Sequence, residues 1–258
     1  MFLEEIVARK REDLIRLKET LPLTEVEVLA RQAAPPRSFT LSLQQKRPLA
    51  LIAEVKRASP SKGDLKPDLD AAALAQIYVE AGAAAVSVLT EEHFFQGSLD
   101  DLRRVREAVA VPVLCKDFLI DPYQVYLARA HGADAVLLIA ALLEDAQQKE
   151  LLGLAHELGM AALVEVHTAT ELERVRRTRA QVIGINNRNL VTFATDFRTC
   201  LNLKKEIPPD RIAVAESGIR TPADIARLVE AGFAAALIGE TLVTAPSPGA
   251  KIRELLGG

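Results

Sequence analysis

Short apolar runs recur along the chain, with amphipathic stretches between them. The runs are "LALIAEV" (49–55), "AAVSVL" (84–89), "VPVLCKD" (111–117), "DAVLLI" (134–139), "AALVEV" (161–166), "VIGIN" (182–186), "IAVAES" (212–217) and "AALIG" (235–239). These eight runs begin about 26 residues apart, enough for one strand, one helix and two short loops. Most are apolar at consecutive positions, which predicts strands covered on both faces, as in a parallel sheet under helices. Of the stretches between them, "LDAAALAQIYVEAG" and "TPADIARLVEAG" are the clearest helices, each closing on a glycine suited to a helix C-terminus. Thr221 reads as an N-cap, Pro222 as the first helical residue and Asp224 as a variant of the capping box. Strict alternation of strand and helix predicts an α/β fold. Eight such units predict a (β/α)8 TIM barrel. A doubly wound open sheet is the second choice, weakened because no GxGxxG turn follows the first strand.

The first 48 residues stand outside this rhythm. Residues 2–20 and 24–32 read as amphipathic helices, and "AAPPRSF" breaks the chain before the first strand. This stretch is too short for a core of its own. It is expected to be an N-terminal helical extension packed on the barrel, with residues 1–258 forming one domain.

In such a barrel the chemistry sits at the C-terminal ends of the strands. The first run ends in Glu54 and Lys56, two residues apart and so on one side of the sheet. Ser59, Pro60 and Ser61 follow. The third ends in Lys116, with Phe118 at the same parity; the fifth ends in Glu165, the sixth in Asn186 and Arg188, and the seventh in Glu216 and Ser217. A single Lys–Glu pair inside a barrel serves structure as readily as chemistry. Several strands ending in charge at one level favour function, because buried charge is costly and needs a reason. The last two runs add a second signal. Ser217-Gly218 precedes a capped helix and Gly239 precedes a short helical segment, the loops where these barrels bind phosphate.

Composition narrows the alternatives. Apolar residues make up 49% and charged residues 26%, with a formal net charge of -3 and a pI near 5.9, which offers no electrostatic case for nucleic acid. The one basic stretch, "ERVRRTR", reads as a solvated helix face. Two cysteines are too few for a disulfide framework. No run is long enough to span a bilayer, and the charged N-terminus resembles neither a signal nor a transit peptide. A cytoplasmic location is expected. No metal is expected: His131 and His156 fall near helix C-termini, and His167 forms only a weak Glu-x-His with Glu165. Cys115 has the opposite parity to Lys116 and should face the helices.

Taken in order, "IAEVKRASPSKG", "SVLTEEHFFQGS", "VLCKDFLID", "LVEVH", "IGINNRNL", "VAESGI" and "LIGETLV" resemble the indole-3-glycerol phosphate synthase family. The resemblance implies closure of the pyrrole ring of 1-(2-carboxyphenylamino)-1-deoxyribulose 5-phosphate, with loss of carbon dioxide and water, in tryptophan biosynthesis. It implies no metal or organic cofactor. By position it implies a catalytic set of Glu54, Lys56, Lys116, Glu165, Asn186 and Ser217. Ser59, Phe95, Phe118, Leu137 and Arg188 would shape the substrate pocket, and Gly218, Gly239 and Glu240 would border the phosphate. Some members have serine in place of Glu240, whose carboxylate would repel phosphate unless it turns away. Lys116 is expected to be desolvated, with a lowered pKa, and to act as the ring-closure acid. Glu165 and Glu54 are the acid–base candidates for dehydration, and Lys56 either orients the carboxylate or acts as an acid. A sugar-phosphate isomerase barrel would share the phosphate loops but lack the "AEVKRASPS" block and the extension. A non-catalytic phosphate sensor would keep the glycines and lose some of the four charged residues. The expected partner is therefore a small sugar phosphate, and a monomer is the favoured state.

Overall fold

A computed structural model describes residues 2–45 and 48–257. The elements run α1 (Phe2–Thr20), α2 (Leu23–Gln32), α3 (Phe39–Gln45), β1 (Ala50–Val55), β2 (Ala58–Ser59), β3 (Gly63–Asp64), α4 (Ala71–Glu80), β4 (Ala85–Leu89), α5 (Leu99–Ala108), β5 (Val113–Lys116) and α6 (Pro122–Ala130). They continue with β6 (Ala135–Ile139), α7 (Asp145–Glu157), β7 (Ala161–Val166), α8 (Ala169–Arg176), β8 (Val182–Asn186), α9 (Arg198–Lys204), β9 (Ile212–Glu216), α10 (Pro222–Glu230), β10 (Ala235–Ile238), α11 (Glu240–Val243) and α12 (Pro248–Leu256).

Eight parallel strands, β1 and β4–β10, close into a barrel, with β1 hydrogen-bonded to both β4 and β10. Each lies within or close to one of the eight apolar runs, so the (β/α)8 TIM barrel expected from the sequence is the observed fold. Side-chain parity divides the core in two. Ala50, Ile52, Leu114, Leu137, Leu163, Val182, Val214 and Leu237 fill the barrel interior. Leu51, Ala53, Val88, Cys115, Val164 and Ile185 point the other way and pack under the helices. Cys115 thus faces outward, as its parity requires. The helix α10 starts on the expected signals: Thr221 accepts from the Asp224 backbone, and the Asp224 carboxylate accepts from the Thr221 backbone N–H at 3.0 Å. The basic stretch of α8 is a solvated face, with Arg177 paired to Glu173 at 3.0 Å.

The extension wraps the barrel from end to end. At the mouth, α1 is pinned by Lys10 to Asp117 at 2.7 Å, by Asp13 to His93 at 2.8 Å and by Lys18 to Asp121 at 2.7 Å. Leu3 and Ile6 of α1 reach the mouth itself. A third helix, α3, was not foreseen in the sequence. Its Phe39 and Leu43 are buried against the interior residues Ala50, Ile52, Val182 and Ile212 and stop the opposite end of the barrel. Residues 46–47, at the end of the expected extension, lie outside the described residues. Among the described residues no helix is long and apolar enough to cross a membrane.

Candidate active site

All fourteen residues singled out in the sequence line one pocket at the C-terminal mouth of the barrel. The parity of β1 sends Ile52 and Glu54 inward, and Lys56 follows at the rim. Its Nζ donates to Glu54 Oε1 at 2.6 Å. Arg57 turns the other way and pairs with Asp101, a contact that ties the loop after β1 to α5. Lys116 closes β5, with its Nζ 3.5 Å from Glu165 at the end of β7 and 3.7 Å from Glu216 at the end of β9. Asn186 ends β8 beside Glu216, and its amide oxygen accepts from the Arg188 backbone at 3.0 Å.

Two glycines make room for this cluster. A Cβ on Gly184 would lie 2.1 Å from Glu216 Oε1, and one on Gly239 would lie 2.2 Å from Glu54 Oε1. Glycine inside a strand often marks such a close approach. Glu216 is the main residue missing from the site set read from the sequence. It was legible there as a charged strand end, but Ser217 next to it took its place.

Burial and charge compete at each group. Burial opposes the Lys116 ammonium, but Glu165, Glu216 and Glu54 outweigh it and hold the lysine above its ordinary range. The lowered pKa expected from the sequence is therefore reversed. Asp117 plays no part in this: its carboxylate turns from Lys116 to Lys10 and the Thr90 hydroxyl, the latter at 2.8 Å. Burial also opposes ionisation of Glu54, yet Lys56 and then Lys116 keep it below the usual carboxylate range. Glu165 behaves alike: Lys116, His167 and Asn186 override burial and hold it well down. Glu216 goes the other way. Burial and the Glu165 charge push it up to about 8, with Lys116 only partly compensating. The two carboxylates facing Lys116 are thus split, one ionised and one protonated at neutral pH.

The apolar wall consists of Phe95, Phe118, Leu137, Leu3 and Ile6. Phe95 and Phe118 lie with ring centroids 6.1 Å apart. Glu91, buried, holds the loop carrying Phe95 by accepting the backbone N–H groups of His93, Phe94 and Phe95. On the opposite side Ser217 and Gly218 both adopt left-handed backbone, φ 66° and 76°, at the end of β9. Such a φ at serine is strained and is characteristic of functional sites. Gly239 stands next to them as N-cap of α11. Glu240 turns its carboxylate to Arg188 Nη2 at 3.3 Å and Lys62 Nζ at 3.9 Å. Arg188 also donates to Ser61 at 2.9 Å. The Ser59 hydroxyl is buried without a partner.

His131 caps the C-terminus of α6 and His156 lies in the last turn of α7, as expected. Among the described residues no group of three or more His, Cys, Asp and Glu side chains is arranged to hold a metal ion.

The pocket therefore offers an ammonium between two carboxylates, a second Lys–Glu pair, an aromatic wall and a glycine-lined corner. Residues 3–255 match the family model described as indole-3-glycerol phosphate synthase. The indole-3-glycerol phosphate synthase of Dehalococcoides mccartyi is 50% identical over 260 residues, covering 99% of this chain and all of that protein. The enzyme of the same name from a Polaromonas species is 49% identical over 259 residues, covering 99% and 98%. Among solved structures, 3-hexulose-6-phosphate synthase superposes with a TM-score of 0.66 at 18% identity, over 81% of this chain and 99% of that one, a likeness of fold. By sequence over nearly its whole length, the chain belongs to the indole-3-glycerol phosphate synthase family.

Proposed function

We propose that the pocket converts 1-(2-carboxyphenylamino)-1-deoxyribulose 5-phosphate to indole-3-glycerol phosphate, with Glu54, Lys56, Lys116, Glu165, Asn186, Ser217 and Glu216 as the reacting and orienting groups. The observation that carries this assignment is the placement of Lys116 between Glu165 and Glu216, opposite the glycine-lined corner. The phosphate sits at Ser217, Gly218 and Gly239, and the aromatic ring lies against Phe95, Phe118 and Leu137. Ser59 and Arg188 border the substrate, and Glu240 stays with its two cations, leaving only its backbone to the phosphate.

In the first step the ring carbon that bears the carboxylate attacks the ketone carbon. Lys116 gives a proton to the ketone oxygen as that carbon–carbon bond forms. An alkoxide is a stronger base than a lysine amine, so the raised affinity of Lys116 for its proton does not block the transfer. Loss of carbon dioxide returns the bonding electrons to the ring. Lys56 orients the departing carboxylate. In the second step the protonated Glu216 gives its proton to the leaving hydroxyl, and Glu165 takes the proton whose loss completes the pyrrole ring. Glu54 holds Lys56 in place. No cofactor enters this sequence. In this reading the chain acts alone, as a monomer of the cytoplasm.

Incubation of the purified chain with the substrate, followed by indole fluorescence, tests the reading. A rising signal that saturates with substrate is expected. A folded chain that leaves the substrate unchanged would overturn it.

A further inference from the structure

We propose that His167 is a positioning residue: it fixes Glu165 as the ionised member of the buried carboxylate pair and leaves the proton on Glu216. This deepens the reaction reading above and rests on it.

His167 follows β7 and sits behind Glu165, with its side chain only 10% exposed. It does not line the pocket, so it acts through Glu165 rather than on substrate. Its Nε2 lies 3.3 Å from Glu165 Oε1 and its Nδ1 lies 3.4 Å from Glu171 Oε2. Both ring nitrogens therefore stand at ion-pair distance from a carboxylate, though neither makes an aligned hydrogen bond, and two flanking carboxylates match the two N–H groups of the imidazolium better than the single one of the neutral ring. Glu171 is fixed in turn. It stands in the first turn of α8, and its carboxylate accepts the His167 backbone N–H at 2.7 Å. Thr168, the N-cap of that helix, accepts from the Glu171 backbone.

The chain of contacts runs from the start of α8 through Glu171 and His167 to Glu165. The groups facing His167 are Glu165 from β7 and Glu171 from α8. Glu165 is faced in addition by Lys116 from β5, Asn186 from β8, Glu216 from β9 and the Glu54 carboxylate from β1. Burial disfavours the His167 charge, but Glu165 and Glu171 outweigh it and lift the imidazole to about 10. Glu165 so has two cations and Glu216 one. That asymmetry separates their roles: a carboxylate ready to accept a proton, and a carboxylic acid ready to give one.

Nitrogen-15 NMR of the wild-type chain tests the charge directly. With His167 assigned through its backbone, both ring nitrogens should be protonated at pH 7.5, and a neutral ring there would overturn the proposal. In turnover, H167Q should lower kcat about 10–100-fold with KM within about threefold, the scale of a misplaced reacting group. The acidic limb of its kcat/KM profile should move up by about one pH unit, because Glu165 without its second cation takes a proton sooner. H167K should hold that limb in place. An unchanged profile with only a lowered melting temperature would mark His167 as structural and overturn the proposal. A wild-type chain without turnover would instead fail the reaction reading, and the NMR result would still decide the charge of His167.

Discussion

The Lys116 ammonium lies 3.5 Å from the Glu165 carboxylate, with β6 standing between their two strands. Both side chains are largely buried, and each stabilises the charge of the other. The variant K116M should leave the barrel folded and substrate bound, because the phosphate corner is built on other strands. Its kcat should fall by roughly 10²–10⁴, the usual worth of one positioned acid. Steady-state kinetics with circular dichroism check this, and near-normal kcat would remove Lys116 from the role of acid.

Lys56 and Glu54 form a second pair, at 2.6 Å, with the Glu54 carboxylate deeply buried. Removing one partner of such a pair strands the other charge. K56M should therefore raise KM and also destabilise the fold by about 3 kcal/mol. Chemical denaturation of K56M and of K56M/E54Q measures this, and the double variant should recover stability. Equal stability of K56M and wild type would show that the pair carries no such coupling.

Glu216 gives the stability a pH dependence of known sign. Its carboxyl keeps a proton to about 8 in the folded chain, against an ordinary value of 4.5. A group raised on folding favours the folded state most below the unfolded value. Its contribution is lost as pH rises from about 4.5 through about 8. E216Q removes this loss, so its melting temperature should exceed that of wild type by an amount that grows from pH 4.5 to pH 8. A difference independent of pH would contradict the assignment of a buried proton to Glu216.

Gly184 holds the space that Glu216 occupies. In G184A the new methyl would meet Glu216 Oε1 at 2.1 Å and Leu163 Cδ1 at 3.1 Å. The side chain of Glu216 must move, and kcat should fall about 100-fold, the scale of a misplacement of about 1 Å. A kinetic comparison with A162G, on the outer face of β7, separates this from general strain: that variant should keep kcat near normal.

Much of this was legible in the sequence because strands and helices leave periodic marks. Spacing and apolar runs carried the barrel, and Thr221 with Asp224 carried the start of α10. Parity alone put Glu54 and Lys56 on one side and sent Cys115 to the other. The helix α3 left too little pattern in seven residues to be separated from the break before it. The acidity of Lys116 was misread because burial is a property of one residue, visible in its apolar neighbours. The three carboxylates that reverse it come from β1, β7 and β9 and meet only in the closed barrel. Glu240 shows the same limit: Arg188 and Lys62, which turn its carboxylate aside, lie far from it in the chain.

The most direct test of the central claim is a paired count of products. Wild type and K116M are given the carboxyphenylamino deoxyribulose phosphate, and carbon dioxide and indole product are quantified together. Ring closure assisted by Lys116 requires one carbon dioxide for each indole in the wild type, and both lost together in folded K116M. Carbon dioxide released without indole, or undiminished indole from K116M, would contradict it.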